Sequence, residues 1–170
     1  MATASFLADS TGRLRWAGGA ARCALGRSGV VAPATKREGD GATPLGAWPM
    51  RRLYWRPDRL ERPATALPVE ALTPEAGWCD DPDDPLYNRP VILPYPGRHE
   101  RLWREDNLYD LIVELGYNDD PVVPGLGSAI FLHLARPDFA PTEGCIACAR
   151  TDFLALLAIA KPGDRLEIVR

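Results

Sequence analysis

The sequence lacks the features that mark membrane-spanning or nucleic-acid-binding proteins. Its longest apolar run, which ends at Ala160, is much shorter than the roughly 20 residues that span a bilayer, so no membrane span is predicted. The 20 basic and 23 acidic residues give a net charge of −3. Because a nucleic-acid surface needs an excess of basic residues, DNA and RNA are not expected as partners.

Cysteine and histidine are scarce, which limits the chemistry available to the chain. The four cysteines are too few for a disulfide scaffold, and with the two histidines they are too scattered for a structural zinc site. No metal site is therefore predicted. The first ten residues carry no Lys or Arg, and Asp9 interrupts their apolar part, so they do not predict a signal peptide.

Proline and glycine are abundant, at 17 and 15 of the 170 residues, which indicates many turns and argues against a helix bundle. The proline-rich stretch 57–98 also contains many aromatic and leucine residues, which predicts a packed covering loop. Short apolar or alternating segments predict strands elsewhere in the chain. The main ones are a hairpin within 13–25, then 109–117, 128–135 and 165–169.

One segment has the pattern of a helix. The spacing predicts that it begins with Thr151 or Asp152 as its N-cap and ends near Ala160, before the Lys-Pro-Gly sequence. Because all other regular segments predict strands, we expect a mainly β protein with one main helix near the C-terminus. The length of 170 residues fits a single domain over residues 1–170.

His133 and Cys145 are the residues whose chemistry stands out. His133 lies near the end of the apolar segment AIFLHLA, where a buried imidazole needs hydrogen-bond partners. Cys145 follows Gly144, and a glycine permits a backbone geometry and a close approach that a side chain would obstruct. A cysteine nucleophile needs a nearby base, and His133 is the better placed of the two histidines. The pattern predicts a thiol nucleophile with a histidine base.

These residues resemble the signature of the L,D-transpeptidase catalytic domain, the YkuD-type family. His133 matches the strand-borne histidine of that family. The Ser/Thr-x-Gly-Cys-Ile/Val pattern is matched in order by Thr142, Gly144, Cys145 and Ile146. The sequences GDGATPLGAW at 39–48 and GYN at 116–118 resemble two further segments of the family.

The chain departs from the family pattern at two places. The connection from His133 to Cys145 is shorter than usual, and Ala147 stands where the family normally has an arginine. By position, Arg136 or Arg150 could replace that arginine. The departures therefore concern the substrate contacts rather than the nucleophile.

The resemblance implies a β-sandwich and acyl transfer on peptidoglycan stem peptides. Cys145 would form a thioester with a donor stem and release D-alanine, and an amine of an acceptor stem would resolve the thioester into a cross-link. The cross-link would join two diaminopimelates, or would use a non-standard acceptor such as the first L-alanine. His133 would be the base, with its ring oriented by the carbonyl of Leu134. The oxyanion would be stabilised by the amides of Gly144 and Cys145, together with the Tyr117 hydroxyl.

The resemblance also implies the surroundings in which the protein works. It implies stem peptides as partners, carbapenem-type β-lactams as inhibitors, no cofactor, a monomer, and a place in the periplasm or cell envelope. Further residues expected to contact substrate are Thr142, Glu143, Ile146, Arg150, Arg136, His99 and Trp103.

Three other functions are compatible with the same residues. An L,D-carboxypeptidase or amidase of the same fold would remove linkages instead of forming them. A non-catalytic muropeptide-binding module would suit the alanine at position 147. Cys145 and Cys148 also form a C-x-x-C pair, which in a thiol oxidoreductase would be a dithiol redox site.

Overall fold

The computed structural model describes residues 5–170, in which we distinguish fourteen strands and one α-helix, α1. A short 3₁₀ helix also spans Pro33–Thr35. The elements are β1 (Ser5–Asp9), β2 (Arg13–Trp16), β3 (Gly19–Ala24), β4 (Val30–Val31), β5 (Thr43–Pro44), β6 (Gly46–Trp55), β7 (Val69–Ala71), β8 (Ala76–Cys79), β9 (Pro90–Ile92), β10 (His99–Arg101), β11 (Leu111–Leu115), β12 (Phe131–Leu134), β13 (Ile146–Cys148), α1 (Arg150–Ile159) and β14 (Arg165–Val169).

Nine of these strands form one sheet that closes on itself. Its order is β11-β12-β13-β3-β2-β1-β14-β6-β7, and β6 also pairs with β11. Strand β6 makes both pairings because it is ten residues long: its first part lies against β14 and its later part against β11. The result is a sandwich whose edges are joined, which confirms the predicted mainly β fold with one helix near the C-terminus.

The main core fills the interior of this closed sheet. Alternate residues of each strand point inward, as Phe6 and Ala8 of β1 and Leu166 and Ile168 of β14 show, each with at most 2% of its surface exposed. Helix α1 closes one side of the core with buried residues such as Leu156. The closed sheet and the helix thus enclose the main core, and the rest of the molecule is built outside them.

The start of α1 differs from the sequence prediction. The helix begins at Arg150, after Ala149 as the N-cap, and no side chain caps it. The Arg150 guanidinium instead pairs with the carboxylate of Asp110 at 3.2 Å. Asp152 lies in the first turn, where a negative charge interacts favourably with the helix dipole. In the part of the chain that the structure describes, no helix is long and apolar enough to cross a membrane.

A second, three-stranded sheet lies outside the sandwich, with the strand order β10-β8-β9. It belongs largely to the proline-rich stretch that was expected to be a packed covering loop. Its Trp78 packs edge-on against Phe131 of β12, with ring centroids 5.1 Å apart. Leu102 and Tyr109 join the same smaller apolar cluster. This covering sheet therefore packs on the outer face of β11 and β12, opposite the main core.

Leu156→Ala should destabilise the protein by about 3 kcal/mol, because it opens a cavity where α1 packs on the sandwich and the side chain is fully buried. The matched control is Leu154→Ala on the same helix, whose side chain is 37% exposed; we expect it to cost less than about 1 kcal/mol. Urea denaturation of the two variants measures both free energies. Equal losses would contradict the packing described for α1.

Candidate active site

The pairing of β12 with β13 places the two candidate residues on one face of the sheet. The strands are parallel, with His133 beside Ala147 and Leu132 beside Ile146. Because successive side chains of a strand alternate between faces, Cys145 shares the face of Ala147 and His133. The neighbouring Leu132 and Ile146 face the main core.

The face that carries His133 and Cys145 forms the floor of a cavity of about 550 Å³. The covering sheet forms one wall of this cavity, and the loop that contains Lys36 forms another. Besides His133 and Cys145, the lining residues that are ionisable or carry a hydroxyl group are Lys36, Glu38, Asp80, His99, Glu100, Arg104, Tyr109, Ser128, Arg136, Thr142 and Glu143. The thiol and the imidazole therefore face a space that carries charges of both signs.

The thiol of Cys145 is buried and held by the backbone. Its Sγ donates a hydrogen bond to the carbonyl of Ala129 at 3.1 Å and accepts one from the amide of Phe131 at 3.4 Å. Burial raises the pKa of the thiol to about 12, and the negative charge of Glu100 acts in the same direction. The Phe131 amide and the Lys36 ammonium oppose this rise. With the cavity as it stands here, the sulfur is a neutral thiol at pH 7.

His133 is held in one tautomer by the next residue along the chain. Its Nδ1 lies 2.9 Å from the carbonyl oxygen of Leu134. Because a carbonyl can only accept, Nδ1 carries the proton and Nε2 keeps its lone pair. Burial lowers the pKa of the ring to about 4, so the imidazole is neutral at pH 7. Tyr109 packs edge-on against the ring, with centroids 5.2 Å apart.

The turn before Cys145 is closed by hydrogen bonds of the Thr142 side chain. The Thr142 hydroxyl donates to the carbonyl of Cys145 at 2.6 Å and accepts from the amide of Gly144 at 3.1 Å. Gly144 has φ +134°, and a Cβ atom there would lie 2.8 Å from the carbonyl oxygen of Ala42. Glycine is thus required at position 144 because the backbone of Ala42 lies too close for a side chain. Among residues 5–170, no acceptor takes the N–H of Cys145.

Four residues predicted to contact substrate do line the cavity. These are Thr142, Glu143, Arg136 and His99. Glu143 is exposed at the mouth, where Arg27 Nε pairs with it at 2.9 Å. Of the two arginines considered as replacements for the one missing at Ala147, it is Arg136 that faces the cavity.

Four other predicted residues lie elsewhere. Ile146 is part of the main core. The Tyr117 hydroxyl donates to the carbonyl of Leu126, which leaves its proton unavailable to an oxyanion. Arg150 pairs with Asp110, as described for the start of α1. The side chain of Trp103 lies in a separate surface depression, where the Arg56 guanidinium stacks on its ring at 3.7 Å.

The structure adds cavity residues that the sequence did not indicate. Lys36 is 2% exposed, and its ammonium pairs with Asp40 at 2.7 Å. Glu100, in β10, accepts a hydrogen bond from the hydroxyl of Tyr109. Burial, the largest influence on it, raises the pKa of the Glu100 carboxyl. No local motif surrounds these residues, because strands and loops distant in sequence bring them together.

Asn88 links the covering sheet to Ala129, the residue whose carbonyl accepts the Cys145 thiol. Its Oδ1 accepts from Trp78 Nε1 at 2.9 Å and from the amide of Ala129 at 3.0 Å. Its Nδ2 donates to the carbonyls of Tyr117 and Asn118. Ala129 has the left-handed φ of +53°, which a non-glycine residue adopts only at a cost. Asn88 therefore helps to fix the carbonyl that receives the Cys145 thiol.

The C-x-x-C pair does not form a dithiol site. Cys145 lines the cavity, whereas Cys148 is fully buried in the main core on the opposite face of β13. The two positions are three residues apart in an extended segment, and this odd spacing directs the side chains to opposite faces. Among residues 5–170, no group of three or more His, Cys, Asp or Glu side chains is arranged to hold a metal ion.

Comparisons with known proteins agree with the motif around Cys145. The sequence matches the YkuD family, the L,D-transpeptidase catalytic domain, over residues 4–168. A comparison with curated proteins gives no match. Among solved structures, the chain is similar to Mycobacterium tuberculosis L,D-transpeptidase 1, with 12% identity and a TM-score of 0.44. That alignment covers 99% of this chain and 62% of the other, so this chain spans less than two thirds of that protein.

The buried histidine should make stability depend on pH. An unfolded imidazole has a pKa of about 6.5, whereas burial lowers that of His133 to about 4. Between these pH values the unfolded chain therefore binds more protons than the folded protein does. The contribution of His133 to the free energy of unfolding is lost as the pH falls from 6.5 to 4. We expect the wild type to lose on the order of 3 kcal/mol more than His133→Gln over this range. Urea denaturation at several pH values measures the difference, and His99→Gln controls for the loss of a histidine.

Asn88→Ala should slow the reaction of Cys145 with an electrophile that fills the cavity by about tenfold, because the Ala129 amide loses its acceptor and the carbonyl on the thiol is no longer fixed. The matched control is Asn118→Ala, since Asn118 bonds Val123 and Gly127 and makes no bond to Ala129. Stopped-flow rates for folded variants test this. A rate equal to that of wild type would show that Asn88 does not position the nucleophile.

Proposed function

We propose that this chain, which belongs to the L,D-transpeptidase catalytic-domain family (YkuD), is an L,D-transpeptidase that cross-links peptidoglycan stem peptides through Cys145. Membership of the family confirms the resemblance found in the sequence. The observation that carries the proposal is the neutral thiol of Cys145 on the same cavity face as an imidazole whose Nε2 is unprotonated. The family acts in the cell envelope, and we propose the same location for this protein.

The proposed reaction starts from a neutral pair rather than from a preformed thiolate and imidazolium. As substrate displaces the thiol from the carbonyl of Ala129, Nε2 of His133 takes its proton and Sγ attacks the carbonyl of the third residue of the donor stem. The amide of Cys145, which has no acceptor within the described residues, would donate to the oxyanion. His133 would then give its proton to the departing D-alanine amine and leave a thioester on Cys145.

The second half of the reaction reverses these roles. An amine of the acceptor stem loses a proton to His133 and attacks the thioester. Sγ leaves as the cross-link forms and takes that proton back from His133, which restores the neutral pair. The acceptor amine would belong to a diaminopimelate or to the first L-alanine. A stem peptide carries carboxylates and ammonium groups, and the cavity offers partners of both signs, with Lys36 and Arg136 as cations and Glu100 as an anion. This match of charges supports stem peptides as the substrates.

The test is to incubate purified muropeptides with the protein and to determine the masses of the products. Wild type should give cross-linked dimers, and Cys145→Ser should give none, because a hydroxyl is a far weaker nucleophile than a thiol beside the same base. Cys148→Ala is the matched control and should keep most of the turnover, since Cys148 faces the main core. Prior incubation with a carbapenem should abolish the dimers and leave one adduct, on the peptide that contains Cys145.

The products also separate the proposal from its rivals. Fragmentation of the dimer identifies the acceptor amine. A trimmed monomer without dimer would indicate a carboxypeptidase, and unchanged muropeptides that bind to the protein would indicate a non-catalytic module. Either of those two results, or an equal loss of turnover in Cys145→Ser and Cys148→Ala, would contradict the transpeptidase assignment.

A further inference from the structure

Cys23 and Cys148 are direct neighbours across two strands of the closed sheet. Strands β3 and β13 run antiparallel, and Cys148 is in register with Cys23. Both side chains belong to the main core, with 4% and 0% of their surfaces exposed, and both are free thiols in this structure. Neither residue has a part in the proposed catalytic reaction. Two thiols therefore face the same buried space at the closest range that a sheet allows.

The backbone hydrogen bonds show that Cys23 and Cys148 form a non-hydrogen-bonded pair of the antiparallel ladder. The amide of Cys23 donates to the carbonyl of Gly12 at 2.8 Å, away from β13. The carbonyl of Cys148 accepts from the amide of Ala135 at 2.8 Å, away from β3. The two cysteines are thus a non-hydrogen-bonded pair, in which the Cα atoms of antiparallel strands are typically ~4.5 Å apart. Disulfides need a Cα separation of roughly 4.4 to 6.8 Å, so the backbone geometry permits a bond without a shift of either strand.

We propose that Cys23 and Cys148 form a disulfide when the chain folds in an oxidising compartment. The oxidant is a disulfide of a small molecule or of a thiol-oxidising protein. One thiolate attacks it to form a mixed disulfide, and the second thiolate then displaces the oxidant's sulfur. The new S–S bond forms as the oxidant's S–S bond breaks, two electrons pass to the oxidant, and the two protons end on its thiols or in solvent. The bond joins β3 to the strand that directly follows the nucleophile.

The other two cysteines are excluded from this bond by their positions. Cys145 faces the cavity on the opposite side of β13 from Cys148. Cys79 lies in the covering sheet, where its register partner is His99. Once β3 and β13 have paired, neither Cys145 nor Cys79 lies beside Cys23 or Cys148, so we expect the bond to join the core pair and to leave Cys145 a free thiol.

Burial decides when the bond can form. It raises the pKa of the Cys23 thiol to about 12, and it also raises the pKa of Cys148. Because thiolates rather than thiols carry out the exchange, the folded and reduced protein should oxidise slowly. In a partly folded chain both thiols reach solvent and the oxidant. The disulfide is accordingly a product of folding and not a switch in the folded protein.

The experiment compares wild type refolded with mixed oxidised and reduced glutathione against wild type refolded with dithiothreitol. The oxidised sample should be lighter by about 2 Da, the mass of two hydrogen atoms. Two of its four thiols should be lost to titration in denaturant. Peptide mapping should link the Cys23 and Cys148 peptides. Because the bond closes a loop of roughly 125 residues, the melting temperature should rise by on the order of 10 °C.

Variants show which thiols react. Cys79→Ser, the matched control, should still lose two thiols on oxidative refolding, whereas Cys23→Ser and Cys148→Ser should keep all of theirs. Peptide mapping of the wild type needs no variant and decides the case even if a core variant fails to fold. Four titratable thiols after oxidative refolding, or a bond to Cys145 or Cys79, would overturn the proposal. Neither result would bear on the transpeptidase activity, which is measured with the reduced protein.

Discussion

The parallel pairing of β12 with β13 is the constraint on which the candidate site depends. It fixes the register in which His133 lies beside Ala147, and it thereby brings the imidazole and the thiol of Cys145 to the same face. A shift of one residue in this register would turn His133 into the main core. Since Leu132 and Ile146 fill that core on the other face, the cost of such a shift is large. Core packing therefore holds the geometry of the candidate site in place.

The same alternation of faces gives the cysteines separate roles. Cys145 faces a cavity with charged walls, while Cys148, three residues later, faces the main core and Cys23. A C-x-x-C sequence at the start of a helix can direct two thiols toward each other. In an extended segment, the odd spacing prevents this. The structure thus argues against a dithiol site formed by Cys145 and Cys148. The same alternation of faces places Cys148 beside Cys23 in the main core.

The covering sheet influences the protonation states of Cys145 and His133. It buries the cavity floor, which keeps the Cys145 thiol protonated and His133 unprotonated at pH 7. Asn88, in the connection between β8 and β9, accepts the amide of Ala129, while the Ala129 carbonyl accepts the Cys145 thiol. A neutral pair has less reactivity toward solvent electrophiles than a preformed thiolate. In the proposed reaction, the thiol and the imidazole would therefore react only once substrate has entered the cavity.

The sequence by itself determined the features that are local: the strand that carries His133, and the threonine and glycine of the turn before Cys145. Each depends on neighbours in the chain, as does the helix near the C-terminus, although the helix begins at Arg150, before the predicted N-cap at Thr151 or Asp152. The ring orientation by Leu134 was implied by the resemblance to the family. Only the tertiary structure showed that Tyr117 and Trp103 lie away from the cavity, while Lys36 and Glu100 line it. It also showed that Asn88 accepts the amide of Ala129, whose carbonyl receives the Cys145 thiol. Those positions follow from strand pairing and from the packing of a covering sheet between residues far apart in sequence, which no local pattern encodes.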